Sequence, residues 1–531
     1  MNLNAIDFSI IAIYFASVLA IGLLIARREK YKDKNHQIND SDYFLAGKSL
    51  GWIAIGSSLF ASNISSTTLI GLSGAAYLTG VSISSYEWMA SVVLIFFAIF
   101  FIPYYVGKNI FTMPQFLENR YDGRLRSYFS ILTVVGNIFI DTAGTLYAGS
   151  LVVKFFFPEI EFWQSATLLA IIAGVYTAAG GLAAVVYTDI IQAVILMVGS
   201  FIITFLTFEQ ISNWSDFLNA TPEKYFSVIQ PRTDQVMPWT GLVFGVPVLG
   251  FYFWCTNQFI VQRVLGAKSI DHARWGSLFA GLLKLPVLFF MVYPGLMARN
   301  IFPDLSSPDL VFPTLVNELL PIGIKGLVLA GLMAAIMSSI DSTLHSASTL
   351  ITMDFVKKYK PNMTPQQLTK SGRYITLGFM VISILWVPVV ASFETLFQYL
   401  QSALAYLVPP VVSVFILGLF WRGTTSRGAF WGMIISHIFS LITFLAVKQN
   451  YIGIHFLEIA GILTLFSSFL IILLSLYDPQ KITTQQSHFT WSLESVKELE
   501  KTLPNKSWWQ DYRLHSVILL LLTVWLVIAH W

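Results

Sequence analysis

One cysteine, Cys255, stands among 531 residues, which excludes an internal disulfide framework and any cysteine-rich metal site. Charge is almost as scarce: Asp, Glu, Lys and Arg make up 11% of the chain against 55% hydrophobic residues, and mean hydropathy is +0.67. That balance leaves no room for a large water-soluble domain and describes one lipid-embedded body, where the length alone would suggest several soluble units. The eight histidines form no HExxH or paired-ligand spacing, and no Walker-type loop occurs, so the marks of a membrane metalloenzyme or nucleotidase are missing. No cofactor and no nucleic-acid partner are expected.

What is present is a series of apolar runs of about 20 residues, each long enough to cross a bilayer as a helix. They fall at 6–26, 52–77, 82–105, 128–154, 164–179, 183–206, 239–260, 275–297, 326–350, 374–391, 396–420, 429–447, 456–476 and 514–531. The expected fold is all-α and polytopic, with about 14 transmembrane helices. Positive residues orient it, because cytoplasmic loops retain Lys and Arg. Nothing basic precedes the first run, whereas Arg27, Arg28, Lys30, Lys32, Lys34 and Lys48 follow it. With the amino terminus outside, alternate loops place 25 basic residues inside and six outside, leaving Lys284 in the membrane. An even number of spans returns the carboxyl terminus outside. The first run lacks a small-residue cleavage site and reads as a retained helix, not a signal peptide. The charged stretch 477–513, with Trp508 and Trp509, reads as a cytoplasmic amphipathic connector.

Five ionisable residues lie inside the runs: Glu87, Asp141, Asp189, Lys284 and Asp341. Each costs several kcal/mol there unless paired or hydrated, which makes it a functional candidate. Three runs are also broken. The second carries the polar, small-residue stretch from Gly56 to Thr68 and is expected to unwind mid-span. The seventh carries Gly245-Val-Pro-Val-Leu-Gly250 at a corresponding depth five spans later, and paired interruptions point to inverted repeats with a binding site at the midplane. Close helix contacts at Gly and Ser are the plainer explanation of both. In the ninth, Ser338, Ser339 and Ser342 share a helical face with Asp341 beside it, an oxygen-rich nest suited to a hard cation. Serines bonding back to the preceding turn would look alike in sequence.

Several separated segments resemble the sodium/solute symporters, and within them the sodium/glucose cotransporter branch. They are Asp42-Tyr-Phe-Leu-Ala-Gly-Lys48, Ala61-Ser-Asn-Ile64, Ser85-Tyr-Glu-Trp88, Gly180 to Asp189, Asn257 to Arg263, Leu283-Lys-Leu285, Ala335-Ile-Met-Ser-Ser339 and Gly418-Leu-Phe-Trp421. The resemblance spans roughly 42–476. It implies the LeuT-like five-plus-five inverted-repeat core, worked by alternating access. A first helix and loop would occupy 1–50, the first repeat 51–207, an extracellular loop 208–238, the second repeat 239–421, and peripheral helices 422–531.

The same resemblance implies a sodium site formed by Ala61, Ile64, Ala335, Ser338 and Ser339, with Asp189 near its inner mouth, and a further sodium at Asp341 and Ser342. Thr188-Asp189 also fits a helix N-cap. For the solute it implies Glu87, Lys284 and Gln401, with Thr68 on the cavity wall and Tyr86, Phe253 and Trp254 near its lids. Glu accepts, Lys donates, Gln does both, and an aromatic face covers a sugar ring; a buried Glu87–Lys284 pair that only fixes helix positions is the alternative. The chain departs from the sugar pattern at Thr68, Ala90, Gly250 and Phe253, each lacking or shortening a hydrogen-bonding group. The expected partners are therefore sodium, lipid and a small polar solute: a sugar, a polyol, a sialic acid, an amino acid or a carboxylate. A proton-coupled carrier is the serious rival, because Asp141, Asp189 and Asp341 would serve as a relay. The setting is the plasma or bacterial inner membrane.

Overall fold

The computed structural model describes residues 3–17, 48–179, 182–211, 213–480, 482–502 and 507–531. All its named elements are helical, and the only pairing between extended segments among the described residues is two isolated bridges. Helices are what lipid demands, since every backbone N–H and C=O must be bonded within the segment. Among the described residues, nine helices are long and apolar enough to cross a membrane, or eleven if each of two bent pairs is one span, and Ala5–Ser17 and Phe162–Ile171 are shorter apolar helices. Ser66–Tyr105, at 40 residues, holds the outer half of the expected second span and the whole third. Each of the fourteen runs thus has a helical counterpart, while length alone does not set the number of crossings.

The chain sorts its loops onto two faces. Leu50 pairs with Gly266 and Lys268 through backbone bonds of 3.1 Å, which brings the start of the second run and the turn after the seventh to one side. Connector residues reach the same side: Trp491 N–H bonds the Leu419 carbonyl at 2.7 Å, and Gln486 Nε2 donates to the Tyr121 carbonyl at 2.7 Å. We call this the basic face, after Lys108, Arg120, Lys268 and Arg422. On the opposite face, Val228 N–H bonds the His530 carbonyl at 2.7 Å, so the 208–238 loop meets the chain's end there.

The second span is broken as expected. Trp52–Asn63 stops, Ile64 and Ser65 leave helical geometry with ψ of 74° and 178°, and Ser66–Thr79 begins. The seventh span is interrupted twice. Its helix divides at Gly245, within the stretch expected to break, into Trp239–Phe244 and Val246–Phe251; the backbone there stays right-handed helical, with φ −98° and ψ −54°, and glycine is needed because a Cβ would stand 2.2 Å from the Leu457 carbonyl oxygen. A fuller interruption, not expected from the sequence, comes at Asn257 (φ −68°, ψ 122°), after a wide turn Tyr252–Thr256, and the Asn257 side chain caps the next helix by accepting the Phe259 N–H at 3.3 Å.

Helix Ile270–Lys284 packs against both Trp52–Asn63 and Ser84–Phe96. Gly56 and Gly276 permit the first contact: a Cβ on Gly56 would lie 2.7 Å from the Gly276 carbonyl oxygen. The ninth helix, Ile324–Ile351, is unbroken, and its start is capped from elsewhere: Asp7 Oδ1 accepts the N–H groups of Gly323 (2.7 Å) and Gly326 (3.0 Å). Residues 18–26 of the first run, the loop after it to residue 47, and residues 180 and 181 lie outside the described residues.

Candidate ion and solute site

Breaking the second helix changes where its backbone bonds go. Ser65 N–H turns to the Asn63 carbonyl at 2.9 Å and Thr68 N–H to the Ser65 carbonyl at 3.1 Å. In an unbroken helix these donors would serve Ala61 and Ile64. Both carbonyls therefore lose their helical donors among the described bonds. An unsatisfied buried carbonyl is costly, so such a gap calls for water or a cation. Thr68 Oγ1 donates back to the Asn63 carbonyl, which commits its proton to closing the break.

The break opens onto a central cavity of about 170 Å³. A single water needs about 10–15 Å³ by the same measure, so this space suits a small solute and an ion together. Its wall includes Ala61, Ile64, Thr68, Tyr86, Glu87, Phe253, Trp254, Ala335, Ser338, Ser339, Ser342 and Gln401. Twelve of the residues singled out from sequence thus meet at one space. Ser338 is buried and Ser339 half-buried, both turned inward from Ile324–Ile351 and not toward lipid.

Three of the singled-out residues stand apart. Lys284 is not on the wall: it lies fully buried behind Glu87, with Nζ 2.5 Å from Oε2 and the rings of Trp254 and Phe60 at 5.5 and 5.6 Å. Each partner sits at the helix end that its charge favours, Glu87 in the first turn of Ser84–Phe96 and Lys284 in the last turn of Ile270–Lys284. Asp341 is buried and is not among the wall residues, although its helix neighbour Ser342 is; one residue along a helix is about 100° of rotation. Asp189 belongs to helix Leu182–Glu209, but its side chain lies outside the described residues.

The wall also holds residues that sequence reasoning assigned otherwise or missed, among them Asn63, Asp141, Thr145, Gln192, Tyr252, Asn257 and Arg263. Asp141 was visible as an intramembrane carboxylate, and Asn257 as a capping residue before an apolar run. Gln192 carried no signal beyond polarity in an apolar helix.

On the face of the 208–238 loop, side chains of the wall meet one another. Tyr86 and Phe397 meet edge to face with ring centroids 4.9 Å apart, and Leu72 is buried beside them. Above, the Pro308–Leu310 turn presses on Gly74, where a Cβ would lie 2.7 Å from the Pro308 carbonyl oxygen. Buried Asp309 ties that turn down by accepting the Leu396 N–H at 2.9 Å and the Tyr147 hydroxyl at 3.4 Å. Toward the basic face, a second cavity lined by Gln258, Gln262, His345, Thr349 and Met353 abuts the same helix, Gln258–Leu265, that carries Phe259 and Arg263 of the first.

Comparison with known proteins agrees with this arrangement. The sodium:solute symporter family matches residues 43–436. Sodium/glucose cotransporter 1 of Oryctolagus cuniculus is 34% identical across 93% of this chain and 82% of its own length. Sodium/myo-inositol cotransporter 2 of Homo sapiens is 34% identical across 91% of this chain and 78% of its own. Among solved structures, a Na+-coupled sialic acid symporter in a substrate-bound, outward-open state superposes with a TM-score of 0.77 at 22% identity, over 91% of this chain and 100% of that one. At that identity the likeness speaks for the fold, the LeuT-like inverted-repeat core. A family match over most of the chain, with relatives aligned along most of their own length, makes this protein a member of the sodium:solute symporter family: a multi-pass membrane transporter, not an enzyme, that performs sodium-coupled symport of a solute.

Proposed function

We propose that the transported solute is a sugar or sugar-like compound, carried inward with sodium by alternating access across the plasma or bacterial inner membrane. Sodium binds between the freed Ala61 and Ile64 carbonyls and the ninth helix, where Ser338 and Ser339 offer hydroxyls and Ala335 a carbonyl. The observation that carries this reading is the pair of carbonyls stripped of helical donors at the edge of the same cavity that holds the two hydroxyls. Oxygen ligands alone suit a hard cation. The solute lies next to the ion, with Glu87 accepting and Gln401 both donating and accepting, Tyr86 above and Phe253 and Trp254 below. Lys284 acts through Glu87, holding its carboxylate in place. Ser342 is on the wall beside this sodium; Asp341 does not join it.

Sodium in this position ties the movable broken helix to the unbroken ninth helix. Coupling follows only if the ion prefers the state open to the outside and completes the solute site, since an ion that bound both states equally would shift nothing. The drive is ample. One charge moving through about 100 mV yields about 2.3 kcal/mol, and a tenfold sodium gradient adds about 1.4 kcal/mol. Their sum, about 3.7 kcal/mol, sustains a solute gradient of roughly 500-fold. The excess of Lys and Arg makes the basic face cytoplasmic and both termini extracytoplasmic, so the side-chain contacts on the face of the 208–238 loop lie toward the outside. The two repeats run over 51–207 and 239–421, with 422–531 peripheral.

Replacing sodium by choline at fixed pH in proteoliposome uptake tests the coupling. Concentrative uptake of radiolabelled D-glucose or myo-inositol is expected to vanish. Undiminished uptake in choline would discard sodium as the driving ion.

A further inference from the structure

Asp141 is the one carboxylate on the cavity wall that no described residue neutralises. It belongs to Gly136–Thr142, a wide π-helical turn inside the run Gly123–Phe156. An extra residue per turn re-aims side chains and strands carbonyls, and such turns recur at functional sites. Here side chains donate to four of the turn's carbonyls. Thr142 Oγ1 donates to the Asn137 carbonyl at 2.6 Å, Ser383 to Ile138 at 3.1 Å, Tyr399 to Phe139 at 2.6 Å and Thr145 to Asp141 at 2.7 Å. Trp386 Nε1 in turn donates to the Tyr399 hydroxyl at 2.9 Å, and Asn137 Nδ2 donates to the Thr343 carbonyl at 3.3 Å. Three helices thus hold one turn in a wide conformation that propensity would not choose.

What this scaffold presents to the cavity is the Asp141 side chain, half-buried, with Tyr252 on the same wall and Tyr399 bonded to the same turn. Among the described residues, none makes an ion pair or hydrogen bond to its carboxylate. The cations nearby are spoken for. Lys284 is consumed by Glu87. Arg263, the one basic residue on the described wall, donates through Nε to Ser58 Oγ at 2.9 Å and through Nη1 to the Phe259 carbonyl. An ionised carboxylate accepts hydrogen bonds and donates none.

We infer that Asp141 is a solute-binding residue that accepts hydrogen bonds from solute hydroxyls and selects uncharged, polyhydroxylated solutes over those bearing a carboxylate. This rests on the reading of the central cavity as the solute site and narrows it. A neutral ring supplies the donors that Asp141 lacks. A carboxylated ring brings a second negative charge to a wall whose cations are occupied, and like charges at an interface suppress the wrong partner.

D-Glucose and D-glucuronate form a matched pair of probes, one ring differing by a carboxylate; myo-inositol is a second neutral probe. Sodium-driven uptake of all three is measured in proteoliposomes for the wild type, Asp141→Asn and Asp141→Glu, with size-exclusion profile and thermal melting as checks on folding. The wild type is expected to take up a neutral probe and to discriminate against glucuronate by at least about tenfold, the scale of one charged hydrogen bond. Asp141→Asn is expected to weaken the neutral probe about tenfold or more and to narrow that discrimination, with half-saturating sodium held within about twofold; Asp141→Glu is expected to retain the discrimination. A wild type that prefers glucuronate, or takes up neither neutral probe, overturns the solute class. Neutral uptake unchanged in a folded Asp141→Asn, or a change confined to sodium dependence, overturns the role of Asp141 alone.

Discussion

Removing the charge of Glu87 while keeping its shape, Glu87→Gln, leaves Lys284 as a cation with no exposed surface and only two aromatic faces, at 5.5 and 5.6 Å, for company. Breaking a buried ion pair by removing one partner costs about 3–5 kcal/mol. The two rings offset part of that, about 0.5–1 kcal/mol each at modest desolvation, so a net destabilisation of about 1–4 kcal/mol is expected. Adding Lys284→Met removes the stranded charge and fills its volume, and replacing both partners of a buried pair by groups of matching shape is often neutral. The double variant is therefore expected to melt near the wild type. Solute binding should not recover with it, because the cavity still lacks the Glu87 carboxylate, and a charged hydrogen bond of about 1.5–3 kcal/mol translates into a 10- to 150-fold loss of affinity. Thermal melting and binding of radiolabelled D-glucose or myo-inositol, measured on the same nanodisc preparations at saturating sodium, separate the two effects. Wild-type affinity in the double variant would show that the pair only fixes helix positions. An unchanged melt in Glu87→Gln would refute the buried-pair energetics.

Two further outcomes come from the opposite face and the first helix. Burial pushes the Asp309 carboxyl up from 3.8 to about 6, against the pull of its bonds to Leu396 and Tyr147, and Oδ1 has no partner among the described residues. A carboxyl raised in the closed form binds its proton there more tightly than in a form where it is solvated. Closure is therefore strengthened as pH falls from about 7 through about 6, by at most about 3 kcal/mol once the ordinary pKa is passed. Turnover limited by reopening is expected to slow between pH 7.5 and 5.5, and Asp309→Asn to flatten that profile; an equal slope in both rules the latch out. Asp7→Ala strips the cap from Gly323 and Gly326 and is expected to cost about 0.5–2 kcal/mol in thermal melting, with an unaltered melt counting against the cap.

Much of the architecture was legible because lipid removes ambiguity. A run of 20 apolar residues has few fates, and a stretch such as Gly56 to Thr68, with five serines, an asparagine and two threonines in reach of the midplane, has reason to unwind. The face of Ser338, Ser339 and Ser342 was legible from 3.6-residue periodicity alone. The seventh span divides at Gly245, in the stretch that was legible, but its glycines also answer to the approach of Leu457 and Val93, and the fuller break at Asn257 carried no glycine or proline to mark it. The wide turn at Gly136–Thr142 was hidden for a related reason: its donors, Ser383 and Tyr399, are more than 240 positions away. Lys284, expected at the solute, and Asp341, expected at a further sodium, are both absent from the cavity wall. In both cases composition named a charged residue near the site, while rotation about the helix axis and pairing with a neighbour decided whether it reached the wall.

The most direct test of the ion site is the sodium concentration that half-activates solute binding in Ser339→Ala, read beside the wild type at fixed pH and ionic strength balanced with choline. If the freed Ala61 and Ile64 carbonyls and the serine hydroxyls hold the ion together, half-activation moves up about five- to tenfold, about 1–1.4 kcal/mol, while affinity at saturating sodium stays within about twofold. Identical sodium curves for the two proteins would contradict the account.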